Sequence, residues 1–376
     1  MARIVIDGRW IQYTGIGRYV ENLITEAVRL APQHQFIVLV QQGKSNILNL
    51  PKGAVDYVET DIVWYTPQEQ LALPKLLDSL EPDLVHFMNF NVPLRYHKPF
   101  AVTIHDLTLL RFKNIRGGLL APFTYRLKDV VMRHVLKTAV KRSRVIFTPS
   151  AFVKNDVAKR YRVAPEKILV TYNAADTPMP KPGGLKKFNL ENKKFLLHVG
   201  NVYPHKNLDR LVQAFGELCK APEFDYQLVI AGRKDEFHTR LEKVVRKKKL
   251  SDRVVFTDYV TDAELEALYA KASLYVFPSL SEGGGIPGLE AMRRGLPVVS
   301  SNATCLPETY GDAAEFFDPR SVLEMVNAIK RVLSDDKLRA RLIKAGYVQA
   351  KKYSWKASAK QMLKGYAGAL QKPTKH

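Results

Sequence analysis

Residues 277–301 read FPSLSEGGGIPGLEAMRRGLPVVSS. An apolar, strand-like run ends at Phe277, three glycines follow at Gly283, Gly284 and Gly285, and Ile286 and Pro287 lead into a helix that carries Glu290. Pro287 suits a first helical turn, because the N–H it lacks has no partner there. Glycines let the backbone approach a ligand, and N–H groups near the positive end of a helix favour a diphosphate. Two carboxylates, Glu282 and Glu290, flank this anion site. Beside a phosphate, their task is to accept hydrogen bonds from sugar hydroxyls. The plainer alternative is a glycine loop before a helix whose Glu290 only complements the dipole.

On both sides of this stretch, short Val- and Ile-rich runs alternate with helical patterns. Strands are expected at 195–199, 228–231, 254–256, 274–277, 298–301 and 315–317, with helices at 208–218, 237–248, 263–271 and 288–294. An earlier set of strands reads at 4–6, 36–40, 84–87, 102–105, 145–147 and 168–171, with helices at 19–30 and 123–140. Short apolar runs of this kind fit strands buried on both faces, and alternation with helices implies parallel sheets with crossovers. The fold class is therefore α/β, with two Rossmann-like, doubly wound domains. The expected boundaries are residues 1–173 for the first domain, a Pro- and Lys-rich linker at 174–193, and 194–353 for the second. A C-terminal helix at 354–376, with Trp355, Met362, Leu363, Tyr366 and Leu370 available for packing, is expected to cross back to the first domain. Ligands of open parallel sheets bind beyond the carboxyl ends of the strands, so two such domains facing one another define a cleft.

Length and composition agree with this reading. A chain of 376 residues fits two domains, and 46% hydrophobic with 25% charged residues is ordinary for a globular protein. Only Cys219 and Cys305 occur, without metal-ligand spacing, which argues against a disulfide scaffold or a zinc site and fits a reducing compartment. The first residues enter a strand directly and no run is long enough to span a bilayer, so a secreted or integral protein is not expected. The net charge of +21 is concentrated: residues 111–167 carry 15 Lys or Arg against Asp129, Asp156 and Glu166. Their centre places Phe123, Leu127, Val130, Val131, Val135 and Thr138 at helical spacing, with Arg126, Lys128, Arg133, Lys137 and Lys141 mostly elsewhere around the wheel. Such a helix either rests on anionic lipid head groups or packs its stripe on the core while its charges meet water.

Glu282 and Glu290, separated by seven residues, resemble the Glu-x7-Glu motif of the family 4 glycosyltransferases. The resemblance continues through Glu290-Ala-Met, Gly295-Leu-Pro-Val-Val-Ser, Leu306-Pro-Glu and Gly311-Asp-Ala-Ala, and back through Val254-Val-Phe and Leu268-Tyr. Earlier segments agree: Thr14-Gly15-Ile16-Gly17-Arg18-Tyr19 is similar to the family's N-terminal glycine loop, His105-Asp106 to its first-domain His-Asp, and His198-Val-Gly200 through Lys206-Asn207-Leu208 to its diphosphate segment. The resemblance covers nearly the whole chain and implies the GT-B fold and a retaining transfer of sugar from a nucleotide-diphosphate donor.

It also implies roles. Glu282 stands by the donor sugar, where a carboxylate binds hydroxyls or steadies positive charge at the anomeric carbon. Glu290 takes the ribose hydroxyls, Lys206 the charge of the departing nucleoside diphosphate, and His105 faces the donor sugar. Gly15 and Gly17, read as a turn between the first strand and a helix beginning near Arg18, let the chain pass close to the donor. Three departures bear on the donor: Asn201 and His205 stand where many members have Arg, and Gly284 replaces an aromatic residue common after the first Glu-Gly. Diphosphate binding then leans on Lys206, on Arg233 and on backbone N–H groups. No covalent nucleophile is placed for a double displacement and no Asp-x-Asp motif is placed for a metal, so no metal and no further cofactor is required.

The expected partners are a nucleotide-sugar donor, with GDP-mannose a common family case, and a glycan or lipid-linked acceptor of cell-surface polysaccharide or glycolipid synthesis. The expected place is the cytoplasm, with residues 111–167 on the inner membrane face. Two other protein classes fit the sequence less well. A nicotinamide-dependent oxidoreductase wants GxGxxG after the first strand, and the loop at Gly15 and Gly17 lacks the third glycine. A nucleic-acid-binding protein fits the pI near 9.7, but no reader motif accompanies it, so no nucleic acid is expected.

Overall fold

The computed structural model describes residues 1–12, 14–112, 121–178 and 184–371. Parts of the basic segment and of the expected linker, with the last five residues, lie outside the described residues, as does the Phe123 side chain. The chain divides into two compact units, one formed by Met1–Leu110, Gly117–Asn173 and Ser354–His376, the other by Arg111–Arg116 and Ala174–Tyr353.

The first unit holds strands β1 (Arg3–Asp7), β2 (Gln35–Gln41), β3 (Asp56–Thr60), β4 (Leu84–Phe87), β5 (Phe100–Thr103), β6 (Val145–Thr148) and β7 (Ile168–Val170), in the order β3-β2-β1-β4-β5-β6-β7. The second holds β8 (Phe195–Val199), β9 (Gln227–Ala231), β10 (Val254–Phe256), β11 (Leu274–Phe277), β12 (Val298–Ser301) and β13 (Ala314–Phe317), in the order β10-β9-β8-β11-β12-β13. Every pairing between these strands is parallel. The central strands β4, β11 and β12 are buried at every position, because helices cover both faces of each sheet. Strand order reverses between β1 and β4 and between β8 and β11. Loops leaving the carboxyl ends there diverge and leave room for a ligand.

Several elements depart from their sequence patterns. The edge strand β3 and the helix Pro67–Ser79 are weakly patterned, since β3 is half-exposed and the helix carries Pro74 inside it. β5 ends at Thr103, which puts His105 in the following loop. The basic helix spans Ala121–Arg142, but its buried side is Val135, Leu136, Ala139 and Val140. Leu127, Val130 and Val131 of the expected stripe are 65%, 64% and 52% exposed. The packed face repeats at i, i+1, i+4, i+5, and among the described side chains of the helix it is those of the C-terminal half that reach the core. Within the stretch expected as linker, Leu185, Phe188 and Leu190 are buried and Lys187 pairs with Glu264 of the second unit.

Two buried polar networks set the geometry of the first unit. The Arg9 guanidinium, 1% exposed, grips Asp7 through Nε and Nη2 at 2.8 Å each and also reaches Glu69 Oε1 at 2.8 Å. Burial opposes its charge, but Asp7 and then Glu69 outweigh that and hold its pKa above the ordinary arginine value. In the second network, His86 of β4 shares a proton with Tyr366 Oη at 2.6 Å and another with Thr103 Oγ1 at 2.9 Å. Tyr366 belongs to the C-terminal helix Trp355–Gln371, which packs on the helix Thr14–Leu30.

Burial, with the nearby His105, pushes His86 down to about 3. The folded state therefore holds this imidazole neutral, while the unfolded chain binds its proton near pH 6.5. Stability contributed by neutral His86 is complete above pH 6.5 and is lost as pH falls toward 3. Unfolding free energies from urea titrations should drop between pH 7 and pH 5 at up to about 1.4 kcal/mol per pH unit for this group, and His86→Asn should remove that share of the slope. A wild-type slope retained in His86→Asn would contradict the assignment.

Candidate active site

The second unit's reversal point gathers three loops. After β8 the chain turns at Gly200, whose φ of +150° favours glycine. A Cβ on Gly232, after β9, would stand 2.2 Å from the Gly200 carbonyl oxygen, so the close approach of these two backbones requires glycine at position 232. A short 3-10 turn, Pro204–Lys206, follows, and Asn207 at φ +61° starts the helix Leu208–Leu218. Asn207 Nδ2 donates to the carbonyls of Pro278 at 3.0 Å and Pro319 at 2.8 Å, and the Leu280 N–H donates to the His205 carbonyl at 2.7 Å. The Lys206 turn is thereby stitched to the loop after β11.

That stitching brings Lys206 Nζ to 2.7 Å from Glu282 Oε1, with the two side chains 15% and 12% exposed. The Glu282 N–H donates to Thr304 Oγ1 at 3.0 Å, which fixes the carboxylate's own backbone. Beneath the ion pair lies His198, fully buried, whose Nδ1–H donates to the Val276 carbonyl at 3.1 Å. Its Nε2 is then an acceptor, and a Cβ placed on Gly200 would stand 3.5 Å from it. Burial first, with Lys206 adding to it, pushes His198 down to about 3, so it is neutral at working pH.

The glycine loop ends on Gly285 at φ +67°, which opens the helix Ile286–Arg293. Tyr310, fully buried, donates from Oη to the Gly285 carbonyl at 2.7 Å. Its ring fills the space that Gly288 leaves: a Cβ there would stand 2.2 Å from Oη and 2.3 Å from Cζ. One turn later Glu290, 4% exposed, accepts a hydrogen bond on Oε2 from Tyr269 Oη at 2.9 Å. Burial, and then the Glu290 charge, raise the Tyr269 phenol well above its ordinary pKa, so it stays a proton donor. Arg294 lies over the Tyr269 ring at 5.2 Å and pairs with Glu266 at 2.7 Å.

Of the expected site residues, Lys206, Glu282, Gly283, Gly284, Gly285, Ile286 and Glu290 converge on this one reversal point. Arg233 stands in the loop after β9, exposed, its guanidinium 5.4 Å above the Tyr259 ring. In the first unit His105 donates from Nε2 to the Met88 carbonyl at 2.9 Å and meets Tyr19 edge-on at 4.9 Å. Burial lowers its pKa against the opposing pull of that carbonyl and of Asp106, and Asp106 itself accepts the Thr108 N–H at 2.7 Å. Gly15 and Gly17 correct an expectation: the helix begins at Thr14, so both lie in its first turn and not in a preceding loop. A Cβ on Gly17 would stand 2.8 Å from Gln12 N and 2.9 Å from the Trp10 carbonyl oxygen, whereas Gly15 has open space. The positioning roles of Asn207, Tyr269, Thr304 and Tyr310 carry no pattern visible in one sequence, although Asn207 and Tyr269 fall inside stretches already matched to the family.

Two switch-point sheets, one carrying a lysine–glutamate pair over a glycine-led helix, define a two-domain transferase of the GT-B type. The chain belongs to the family 4 glycosyltransferases and is a glycosyltransferase: residues 13–178 match the model "Glycosyltransferase Family 4" and residues 185–349 match "Glycosyl transferases group 1". It is 32% identical over 274 residues to the O-antigen chain mannosyltransferase RfbU of Salmonella typhimurium, covering 72% of this chain and 70% of the relative. It is 30% identical over 291 residues to O-antigen chain mannosyltransferase B of Escherichia coli, covering 75% of this chain and 74% of the relative. Among solved structures it shares its fold with WaaG, a glycosyltransferase involved in lipopolysaccharide biosynthesis, at TM-score 0.73 and 18% identity over 96% of this chain and 98% of that one. Membership of this family sets aside the oxidoreductase and nucleic-acid readings. Among the described residues no helix is long and apolar enough to cross a membrane.

The Gly288–Tyr310 fit is open to test. Gly288→Ala should cost about 1–3 kcal/mol through overpacking, read as a lower thermal midpoint. Gly368→Ala, on the C-terminal helix with open space around it, should be neutral or stabilising by up to about 1 kcal/mol.

Proposed function

We propose that this glycosyltransferase moves a hexose, mannose from GDP-mannose, to a glycan or lipid-linked acceptor in cell-surface polysaccharide synthesis, with retention of configuration. The carrying observation is the Lys206–Glu282 pair at the sheet's reversal point, next to the Gly283–Gly285 loop and the helix that holds Glu290. The two O-antigen mannosyltransferases among its relatives support the choice of sugar and acceptor class.

In this reading the donor diphosphate takes Lys206 as its counter-ion, and Glu282, released from the pair, accepts a hydroxyl of the sugar. Glu290, already held by Tyr269, accepts from the ribose diol. The helix start at Ile286 adds its partial positive charge to the leaving group, and no metal is needed for that task. The acceptor hydroxyl attacks the face from which the nucleoside diphosphate departs, and a phosphate oxygen of the leaving group takes its proton. His105, neutral and anchored on the Met88 carbonyl, keeps the place beside the donor sugar that the family resemblance implies. Arg233 adds charge at the rim.

The basic helix supports a place on the cytoplasmic membrane face, because Leu127, Val130 and Val131 stand exposed among Arg126, Lys128 and Arg133. Salt-sensitive pelleting with vesicles containing anionic lipid, weakened by Leu127→Ser with Val131→Ser, is the expected result.

Thermal shift against a panel of nucleotide sugars tests the donor, since a ligand that binds the folded state raises its stability by mass action. GDP-mannose should give the largest shift. Glu290→Ala should abolish it, and Lys206→Ala should lower kcat by about 100-fold or more, in line with the loss of a charge aimed at the leaving group. Unchanged shift and turnover in both variants would remove the proposal.

A further inference from the structure

Four aromatic rings gather at the reversal point of the first unit's sheet. Trp10, two residues beyond Gly8 at the end of β1, stacks on Trp64 with centroids 4.5 Å apart. Tyr65 meets Trp10 edge-on at 6.2 Å and leans on Phe90, after β4, at 6.4 Å. Trp10 and Phe90 are buried, Trp64 is half-buried, and Tyr65 is 59% exposed. The loop that carries Trp64 and Tyr65 is clamped at both ends by the buried ion network: Arg9 Nη1 donates to the Ile62 carbonyl at 3.0 Å, and the Tyr65 N–H donates to Glu69 Oε2 at 2.8 Å. Glu69 also accepts from Asn91 Nδ2, beside Phe90. Tyr65 holds φ of +61°, a conformation a bulky residue rarely adopts, and Glu69 fixes it there.

We infer that the Trp64–Tyr65 rings, backed by Trp10 and Phe90, are the platform on which a neutral pyranose of the acceptor glycan stacks. This rests on the proposed function and assigns the second substrate a place. Three observations carry it. Exposed aromatic surface in a loop held rigid from beneath is pre-organised for binding, since little conformational freedom remains to be lost. The charges of Asp7, Arg9 and Glu69 are consumed by one another in the interior, so this surface suits an uncharged ligand and not a phosphate. A pyranose has an apolar C–H face that packs on an aromatic ring while its hydroxyls stay wet. Phe90 follows by two residues Met88, whose carbonyl anchors His105 in the same unit.

The test is titration of the full chain with α-linked mannobiose, followed by saturation-transfer NMR. Tyr65→Phe keeps the ring and should bind within about twofold of wild type. Tyr65→Asn tolerates the same backbone conformation and keeps the N–H to Glu69, so it should fold normally yet bind about tenfold more weakly, the size of one lost ring contact. Wild-type affinity in Tyr65→Asn, or no mannobiose binding by the wild type, overturns the platform. Thermal shift by nucleotide sugars in the same samples separates the two ideas. A donor response without mannobiose binding removes the platform alone, and no donor response removes the function on which it rests.

Discussion

A lysine and a glutamate that lie 76 positions apart in sequence meet at 2.7 Å where the strand order of the second sheet reverses. Each side chain is largely withdrawn from water, so neither charge tolerates loss of its partner without compensation. The rest of the site is arranged around keeping both loops in place. Asn207 ties the Lys206 turn to Pro278, Leu280 ties the opposite loop back to His205, and Thr304 holds the Glu282 backbone. In the proposed function, a donor diphosphate beside Lys206 would replace the carboxylate as its counter-ion and free that carboxylate for hydroxyls.

Close backbone approach is the second constraint. Gly200 and Gly232 touch in a way no side chain permits, and Gly285 and Gly288 leave a hollow that the Tyr310 ring fills. These contacts explain why glycines cluster here for reasons beyond ligand access. The loop is shaped by packing from beneath, and its N–H groups are aimed by that packing. The Gly284 carbonyl lies 3.4 Å from Thr309 Oγ1, so the second layer supports the loop at that position too.

Much of this was legible in the chain. β4, β8, β11 and β12 have the bounds their Val- and Ile-rich runs predict, because strands buried on both faces must be apolar throughout. Lys206, Glu282 and Glu290 were marked by spacing and by position after strands. β3 was not, since an edge strand reading DYVET has no such requirement. The basic helix misled for a related reason: Leu127, Val130 and Val131 satisfy helical periodicity as well as Val135 and Leu136 do, and periodicity does not reveal where along a helix the core ends. Tyr269, Tyr310 and Asn207 act on backbone atoms or on one carboxylate across long sequence gaps, a relation that appears only when the chain is folded.

The two units treat charge in opposite ways, and that contrast bears on how one chain handles two substrates. In the second unit the charged pair sits at the mouth of the loops, where it can be re-partnered. In the first, Arg9, Asp7 and Glu69 are 2% exposed or less and are satisfied by one another, by Asn91 and by the loop they clamp. An arginine held this way, bidentate to one carboxylate and bonded to a second, is a brace and not a ligand-binding group. Charge at the first reversal point therefore serves rigidity, and the surface it supports is aromatic. On the proposed function, a charged donor and a neutral acceptor ask for opposite chemistry at their contact surfaces, and the two sheets differ accordingly in whether the ions face the loop mouths or lie beneath them.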